Sequence, residues 1–134
     1  MPTPPTAAEL ADRVGAALEA GDLTEIADLL DPNVRWGAPD DPMPSCQSRD
    51  QVLTWYQHAQ GAGGEARVTE VTVHGPKLLV GLRVVAGPPV ERHGGPVERW
   101  QVITVADGRV VDIRAFDDRG DAATAAASDE VDRA

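Results

Sequence analysis

The sequence predicts an α+β domain in which helices pack on one face of an antiparallel sheet. Two observations carry this prediction. Residues 1–60 hold three helix-start signals, and residues 65–117 hold runs of β-branched residues separated by turn residues. A strongly curved sheet with helices across its open side encloses a cavity, and such a cavity is where a small domain binds a small molecule.

Each predicted helix begins at a capping box, in which a side chain caps the helix start and an acidic or amide residue follows three positions later. The three pairs are Thr6 with Glu9, Asp22 with Glu25, and Ser48 with Gln51. They predict helices over residues 6–20, 23–30 and 48–59, because glycine or proline follows each segment. A short strand is expected over residues 33–36.

The second half of the chain alternates between strand and turn signals. Strands are expected over residues 67–74, 77–86, 97–106 and 109–117, and Asp107-Gly108 is typical of a two-residue hairpin turn. Three prolines and three glycines within residues 87–96 predict a hairpin loop. The expected organisation is a disordered N-terminus (1–5), one domain (6–120) and a flexible acidic tail (121–134).

Composition and charge narrow the function classes. A formal charge of −10 disfavours nucleic acid and anionic membrane surfaces as partners. No apolar run reaches a membrane span, and the N-terminus has no secretory signal, so we expect a cytoplasmic protein. The single cysteine, Cys46, cannot form an internal disulfide, and the three scattered histidines show no metal-ligand spacing. We therefore expect neither a metal nor another cofactor.

Three segments carry a resemblance to a known family: "ALEAGDLTEIADLLDPNVRWGAP", "SRDQVLTWY" and "RWQVITVADGRVVDIRAFDDR". Over about residues 7–120 the chain resembles the SnoaL-like branch of the nuclear transport factor 2-like superfamily. This resemblance implies a cone-shaped, cystatin-like sheet with three N-terminal helices over its mouth, often dimerising through the outer sheet face. The fold hosts isomerases, cyclases, epoxide hydrolases, dehydratases and binding proteins, so it does not define the function.

Strand alternation predicts which side chains face the cone. On the last strand Val111, Ile113, Ala115 and Asp117 share the inner face, and on the preceding strand Arg99, Gln101, Ile103 and Val105 do so. On the strand before that, Arg83 and Val85 are expected to face inward. The outer face would then present Leu82, Trp100 and Phe116, which predicts a homodimer through that face.

The catalytic patterns of related families are incomplete in this chain. At the positions that resemble the ketosteroid isomerase base, tyrosine and acid, the sequence has Trp36, Val14 and Gln101. The epoxide hydrolase pattern keeps Arg83, but Val85 and Ala115 replace its two carboxylates. The polyketide cyclase pattern again has Ala115 at its Asp, with Gln101 at the partner His. The acid–base groups of all three patterns are missing, although Gln101 could donate a neutral hydrogen bond.

The predicted pocket is bounded by seven residues: Trp36, Tyr56, Arg83, Gln101, Ile113, Ala115 and Asp117. Asp117, Gln101 and Arg83 are the catalytic candidates, and Trp36, Tyr56, Ile113 and Ala115 are the ligand contacts. An inward Arg83 needs a partner, and Asp117 is the expected carboxylate, held by Arg83 or Arg99. Two functions stay open. One is binding of a mostly apolar, polyketide- or terpenoid-like molecule in bacterial secondary metabolism. The other is an isomerase, cyclase, dehydratase or epoxide hydrolase-like enzyme with a rearranged polar site.

Overall fold

The computed structural model describes residues 4–39, 41 and 46–127. Its elements, in chain order, are α1 (Ala7–Ala20), α2 (Leu23–Leu29), β1 (Leu30–Gly37), α3 (Arg49–Gly61), β2 (Glu65–His74), β3 (Lys77–Ala86), α4 (Pro88–His93), β4 (Val97–Ala106), β5 (Arg109–Phe116) and α5 (Arg119–Ala127). The five strands form one curved sheet in the order β1-β5-β4-β3-β2. The predicted α+β class is confirmed.

The pairing of the strands is antiparallel from β2 to β5, as predicted. The expectation of a wholly antiparallel sheet is wrong at one edge, where β1 pairs parallel to β5. Antiparallel strands can be joined by a tight hairpin, whereas parallel strands need a long connection. β1 is separated from β5 by α3 and the other three strands, so no hairpin constrains its direction.

The three N-terminal helices begin where their caps predict. Thr6 Oγ1 accepts from the Glu9 backbone N–H at 3.3 Å, and the Glu9 carboxylate accepts from the Thr6 N–H at 3.1 Å. Asp22 accepts from the first turn of α2, and Ser48 Oγ accepts from the Gln51 N–H at 3.2 Å. These bonds satisfy backbone donors that the helix itself leaves unpaired.

The inner sheet face carries the main core. α1, α2 and α3 supply Leu10, Val14, Ala17, Ile26, Leu29 and Val52. The sheet supplies Leu78, Val80, Ile103, Val105, Val110 and Ile113 from beneath. Because these helices cover the sheet without filling its whole concave side, room remains for a cavity.

Of two predicted connections between strands, one has the expected structure and the other does not. At the β4–β5 turn, Asp107 (φ 53°) and Gly108 (φ 78°) both have left-handed backbone, as a two-residue hairpin turn requires. The predicted loop over residues 87–96 instead contains the six-residue helix α4. Two prolines occupy its first positions, where a missing N–H breaks no helical hydrogen bond, so the proline-rich sequence can start a helix.

Part of the outer sheet face is covered by α5. Ala122 and Ala126 are buried against Leu79 of β3 and Val102 of β4, and Trp100 and Phe116 pack around them. The prediction of a flexible tail is therefore wrong for residues 121–127. Alanine side chains bury little area themselves, but they let a helix lie close to an apolar sheet. The sequence of the tail alone does not show that such an apolar surface is present on the sheet. Residues 1–3 and 128–134 lie outside the described part of the chain.

Polar contacts fix both ends of α5. Near its start, the Arg119 guanidinium donates two hydrogen bonds to the Glu70 carboxylate of β2, at 2.9 and 2.7 Å. Arg119 also lies over the Trp100 ring, 5.8 Å from its centroid. Near its end, the buried Lys77 ammonium donates to the Ala125 carbonyl at 3.3 Å.

Side-chain alternation on β3 is opposite to the prediction. Leu82 faces the inner core and the cavity, and Arg83 is exposed on the outer face beside Glu98. Leu82 is therefore removed from the predicted outer patch, and Arg83 from the predicted pocket. The first six residues of β3 are all buried, so its sequence has no polar alternation that could specify the faces.

A bulge changes the alternation on β5. Thr104 pairs with Asp112 and Val105 pairs with Val110, so Val111 is the extra residue. Val110 and Ile113 therefore both lie in the inner core, while Val111 is only partly buried. The inward prediction is correct for Ile113 and wrong for Val111.

Of the helices described, none is long and apolar enough to cross a bilayer.

Candidate functional site: a cavity inside the cone

A cavity of about 1100 Å³ lies between the concave face of the sheet and the helices. Leu82, Val84 and Ala115 line its sheet side, and Trp36, Trp55 and Tyr56 line its helix side. Gln101 lies within the sheet wall, and the cationic side chains that border the cavity are Arg67, Arg92 and Arg99. The wall is therefore mostly apolar, with a small number of polar groups.

Three aromatic rings form one cluster on the helix side. The Trp36 ring centroid lies 4.6 Å from that of Trp55 and 5.2 Å from that of Tyr56, and the Trp55 and Tyr56 rings meet nearly edge to face. Trp36 comes from β1, whose backbone bonds to Cys46 at this point, and the other two come from α3. Tilted and edge-to-face pairs at these distances are favourable. The cluster therefore joins β1 to α3 on this side of the cavity.

Tyr56 is partly buried at the edge of the cavity. Burial raises its pKa to about 12, although a side-chain hydrogen bond with Gln101 acts in the opposite direction and lowers it. A phenol with this pKa stays neutral at physiological pH. It can exchange hydrogen bonds with a ligand, but it does not serve as an anionic base.

Gln101 is the central polar residue of the cavity wall. It is 6 % exposed, and its Oε1 atom has no hydrogen-bond partner among the described residues. Its neighbours on the adjacent strands are Val80 and Ala115, which have no polar side-chain group. A buried acceptor without a partner costs about 1–3 kcal/mol, so its presence needs an explanation.

The charged residues at the strand ends pair differently from the prediction. Arg99 lies 3.7 Å from Asp117, whose side chain is 91 % exposed, whereas Arg83 lies 4.0 Å from Glu98. The predicted pair of Arg83 and Asp117 is therefore wrong, and the alternative partner Arg99 is the one observed. The one-residue change of face on β3 explains this, because it carries Arg83 to the convex side.

Four predicted pocket residues meet at the cavity: Trp36, Tyr56, Gln101 and Ala115. Ile113 lies in the core and lines a separate void of about 20 Å³ beside Tyr56. Asp117 lies at the exposed end of the last strand, and Arg83 lies on the outer face. A role for these residues in binding or converting a ligand stays a prediction.

Several residues that line the cavity were not predicted from the sequence. Of the adjacent aromatic residues Trp55 and Tyr56, Tyr56 was the predicted ligand contact; Trp55 also lines the cavity, with 52 % of its surface exposed. Arg92 reaches the cavity from α4, a helix that a proline signal at a helix start could have indicated. Cys46 also lines the cavity, and burial raises the pKa of its thiol. In the described part of the chain, His, Cys, Asp and Glu side chains form no cluster of three that could hold a metal ion.

The cone of five strands with helices over its concave side defines the nuclear transport factor 2-like class of folds. Within that class, the SnoaL-like domain matches residues 11–113, and the chain belongs to this family. No curated protein is significantly similar to the chain.

Solved structures agree with this assignment. A protein from Sinorhizobium meliloti, proposed to be a polyketide cyclase, is 25 % identical over 83 % of this chain and 99 % of its own, with a TM-score of 0.64. A protein from Kribbella flavida, proposed to be a ketosteroid isomerase, is 22 % identical over 80 % of this chain and 73 % of its own, with a TM-score of 0.65. A cystatin-like protein of unknown function from Xanthomonas campestris is 16 % identical over 88 % of this chain and 97 % of its own, with a TM-score of 0.67.

Proposed function

We propose that this protein binds a small, mostly apolar molecule in the cavity inside its cone. The observation that carries the proposal is the cavity of about 1100 Å³ with an aromatic cluster on one side and aliphatic strands on the other. Ligand pockets in proteins have roughly this size, a mainly apolar wall and a few placed polar groups. Polyketides and ketosteroids, which the names of two relatives mention, are mostly apolar molecules, and this supports a polyketide- or terpenoid-like ligand class.

Binding is favoured over catalysis by the positions of the catalytic candidates. Of Asp117, Gln101 and Arg83, Gln101 is the one that lines the cavity. Among the described residues, the carboxylates that border the cavity are Glu19 and Glu65. Glu19 accepts from the Val68 backbone N–H at 2.7 Å and also pairs with Arg67, so it holds α1 against β2. Glu65 is exposed at the start of β2. Neither arrangement resembles a buried general acid or base.

The experiment uses naphthalene as a ligand without polar groups. Calorimetric titration of the full chain should show saturable binding to one site. Ala115→Trp fills the cavity at its sheet wall and should weaken binding by about tenfold or more, since the indole takes the ligand's space. Ala106→Trp is the matched control, because Ala106 is exposed at the end of β4. Equal binding by both variants would contradict the proposal.

Homodimerisation and a cytoplasmic location stay predictions. The proposed dimer surface is smaller than the sequence suggested, since Leu82 faces inward and α5 covers part of the outer face. Trp100 and Phe116 keep part of their surface exposed beside α5. Sedimentation at micromolar concentration tests whether this remaining surface supports a dimer.

A further inference from the structure

The short helix α4 brings an arginine to the edge of the cavity. Pro88, Pro89 and Arg92 all line the cavity, and every residue of α4 keeps some exposed surface. Residues three and four positions apart lie on the same side of a helix. Arg92 is four positions after Pro88 and three after Pro89, so the three residues share one helix face. α4 therefore presents Arg92 on the side that meets the cavity.

Glycines at both ends of α4 set its position over β3 and β4. Gly87, before the helix, has φ 107°, and a Cβ atom on it would lie 2.9 Å from the Gly64 Cα. Gly94, after the helix, has φ 83°, and its N–H donates to the Val90 carbonyl at 2.8 Å. Glycine adopts such backbone angles without the steric cost that a side chain would add. The location of Arg92 thus follows from two turns of the chain.

Arg92 differs from the other arginines that border the cavity in its lack of a carboxylate partner. Arg67 lies 3.4 Å from the Glu19 carboxylate, and Arg99 lies 3.7 Å from the Asp117 carboxylate. Within the part of the chain that the structure describes, Arg92 forms no ion pair. Its positive charge is therefore available to a ligand that reaches the edge of the cavity.

We propose that the ligand carries a carboxylate on its apolar body, and that this carboxylate pairs with the Arg92 guanidinium. The proposal rests on the proposed binding function and names an acidic class within it. The apolar body would lie inside the cavity against the aromatic cluster of Trp36, Trp55 and Tyr56. The guanidinium presents a planar fork of N–H donors that matches the two oxygens of a carboxylate. Because Arg92 is exposed, the carboxylate keeps part of its hydration.

The test compares 2-naphthoate with 2-naphthamide, which have nearly the same shape but differ in charge at neutral pH. Calorimetric titrations use the full chain at low ionic strength. The wild-type protein should bind the carboxylate about three- to tenfold more tightly than the amide. This preference would oppose the repulsion of anions by a chain with a formal charge of −10. It should decrease as salt is added, because salt screens an exposed ion pair.

A pair of variants assigns the preference to one side chain. Arg92→Gln removes the cation, so the two ligands should bind with affinities within about twofold of each other. Arg109→Gln is the matched control, because Arg109 is also exposed and its loss changes the net charge equally. Arg109 follows the β4–β5 turn, at the opposite end of β4 from α4, and its variant should keep the wild-type preference. Circular dichroism checks that both variants fold, and the wild-type comparison tests the proposal if one does not.

The outcomes separate this inference from the proposed function. Equal affinities in the wild-type chain, a preference that persists in Arg92→Gln, or an equal loss of preference in Arg109→Gln overturns the inference. Tighter binding of 2-naphthylmethylamine than of 2-naphthoate also overturns it, because the polar end of the ligand would then contact a carboxylate such as Glu65. If naphthalene still binds in these cases, the proposed function stands. If naphthalene and all its derivatives fail to bind, both proposals fail.

Discussion

The two faces of the sheet are built from the same strands but are completed in different ways. Trp100 and Gln101 are adjacent on β4 and point to opposite sides. The outer residue packs against α5 and the Arg119 guanidinium. The inner residue faces a cavity, and its Oε1 atom has no partner among the described residues.

This difference separates a face that is packed by a helix from a face that retains open volume, and the proposed binding site lies on the second. On the outer face, α5 buries Leu79 and Val102, and its ends are held by Glu70 and Lys77. On the inner face, the cavity leaves apolar surface uncovered, and the buried Gln101 Oε1 has no hydrogen-bond partner among the described residues. Binding sites commonly retain such unfavourable features because a ligand satisfies them.

The largest expected effect tests whether the outer face is as well packed as the inner one. Leu78 and Leu79 are adjacent on β3, and both are almost fully buried, at 0 % and 1 % exposed. Leu78 lies in the inner core and Leu79 lies under α5. Leu78→Ala and Leu79→Ala should each lower the free energy of unfolding by about 2–5 kcal/mol, as measured by urea denaturation.

Leu79→Ala is the variant that tests whether α5 packs on the outer face. If residues 121–127 formed a tail, Leu79 would be exposed, and truncating it would change stability by only about 0.5 kcal/mol. A loss of that size in Leu79→Ala, beside a large loss in Leu78→Ala, would contradict the packing of α5.

Local signals predicted most of the fold correctly. The three N-caps and the Asp107-Gly108 turn are set by hydrogen bonds and backbone angles within a few residues, so they can be read from the sequence. Of the three predicted capping boxes, the pair Thr6 and Glu9 forms both reciprocal bonds, whereas Asp22 and Ser48 act as simple N-caps. The packing of α5 and the parallel pairing of β1 depend on surfaces distant in the sequence. The tail sequence does not show that Leu79 and Val102 offer an apolar face to alanines.

The side chains that face the cavity were predicted correctly where strand alternation is regular, and incorrectly where it is not. Gln101 and Ala115 were placed correctly, because the pairing of β4 with the end of β5 is uninterrupted from Trp100 to Thr104, so simple alternation holds there. Arg83 was placed on the wrong side, because β3 is buried on both faces and its pattern fits either orientation. Val111 was misplaced by a bulge that has no evident local signal.

A smaller effect is expected from removing the unpaired acceptor. Gln101→Leu should raise the free energy of unfolding of the ligand-free protein by about 1 kcal/mol, since an apolar side chain has no buried oxygen to desolvate. Tyr56 loses its hydrogen bond with Gln101 in this variant, but it is partly exposed at the cavity, where water can replace that bond. Thermal or urea denaturation measures this gain. Gln57→Leu, on the exposed side of α3, should stay within about 0.5 kcal/mol of the wild type. A clear loss of stability in Gln101→Leu would show that Oε1 is satisfied in solution.

The smallest expected effect concerns the pH dependence of the contact that holds the start of α5. Two hydrogen bonds from Arg119, with a third from Thr72, lower the pKa of Glu70 from 4.5 to about 2. A carboxylate whose pKa is depressed by folding stabilises the folded state above its unfolded pKa. This contribution should therefore be complete above about pH 4.5 and should disappear as the pH falls through about 2.

Replacing the carboxylate should reveal this pH window. Glu70→Gln should unfold at a lower temperature than the wild type at pH 7, and the two melting temperatures should converge as the pH approaches 2. Glu98→Gln is the matched control on the same face, because its 4.0 Å contact with Arg83 joins two half-exposed side chains that water screens. If Glu70→Gln differs from the wild type no more than Glu98→Gln does at pH 7, the Glu70–Arg119 contact does not fasten α5. The helix would then be held on the outer face by its apolar packing and by the Lys77 contact near its end.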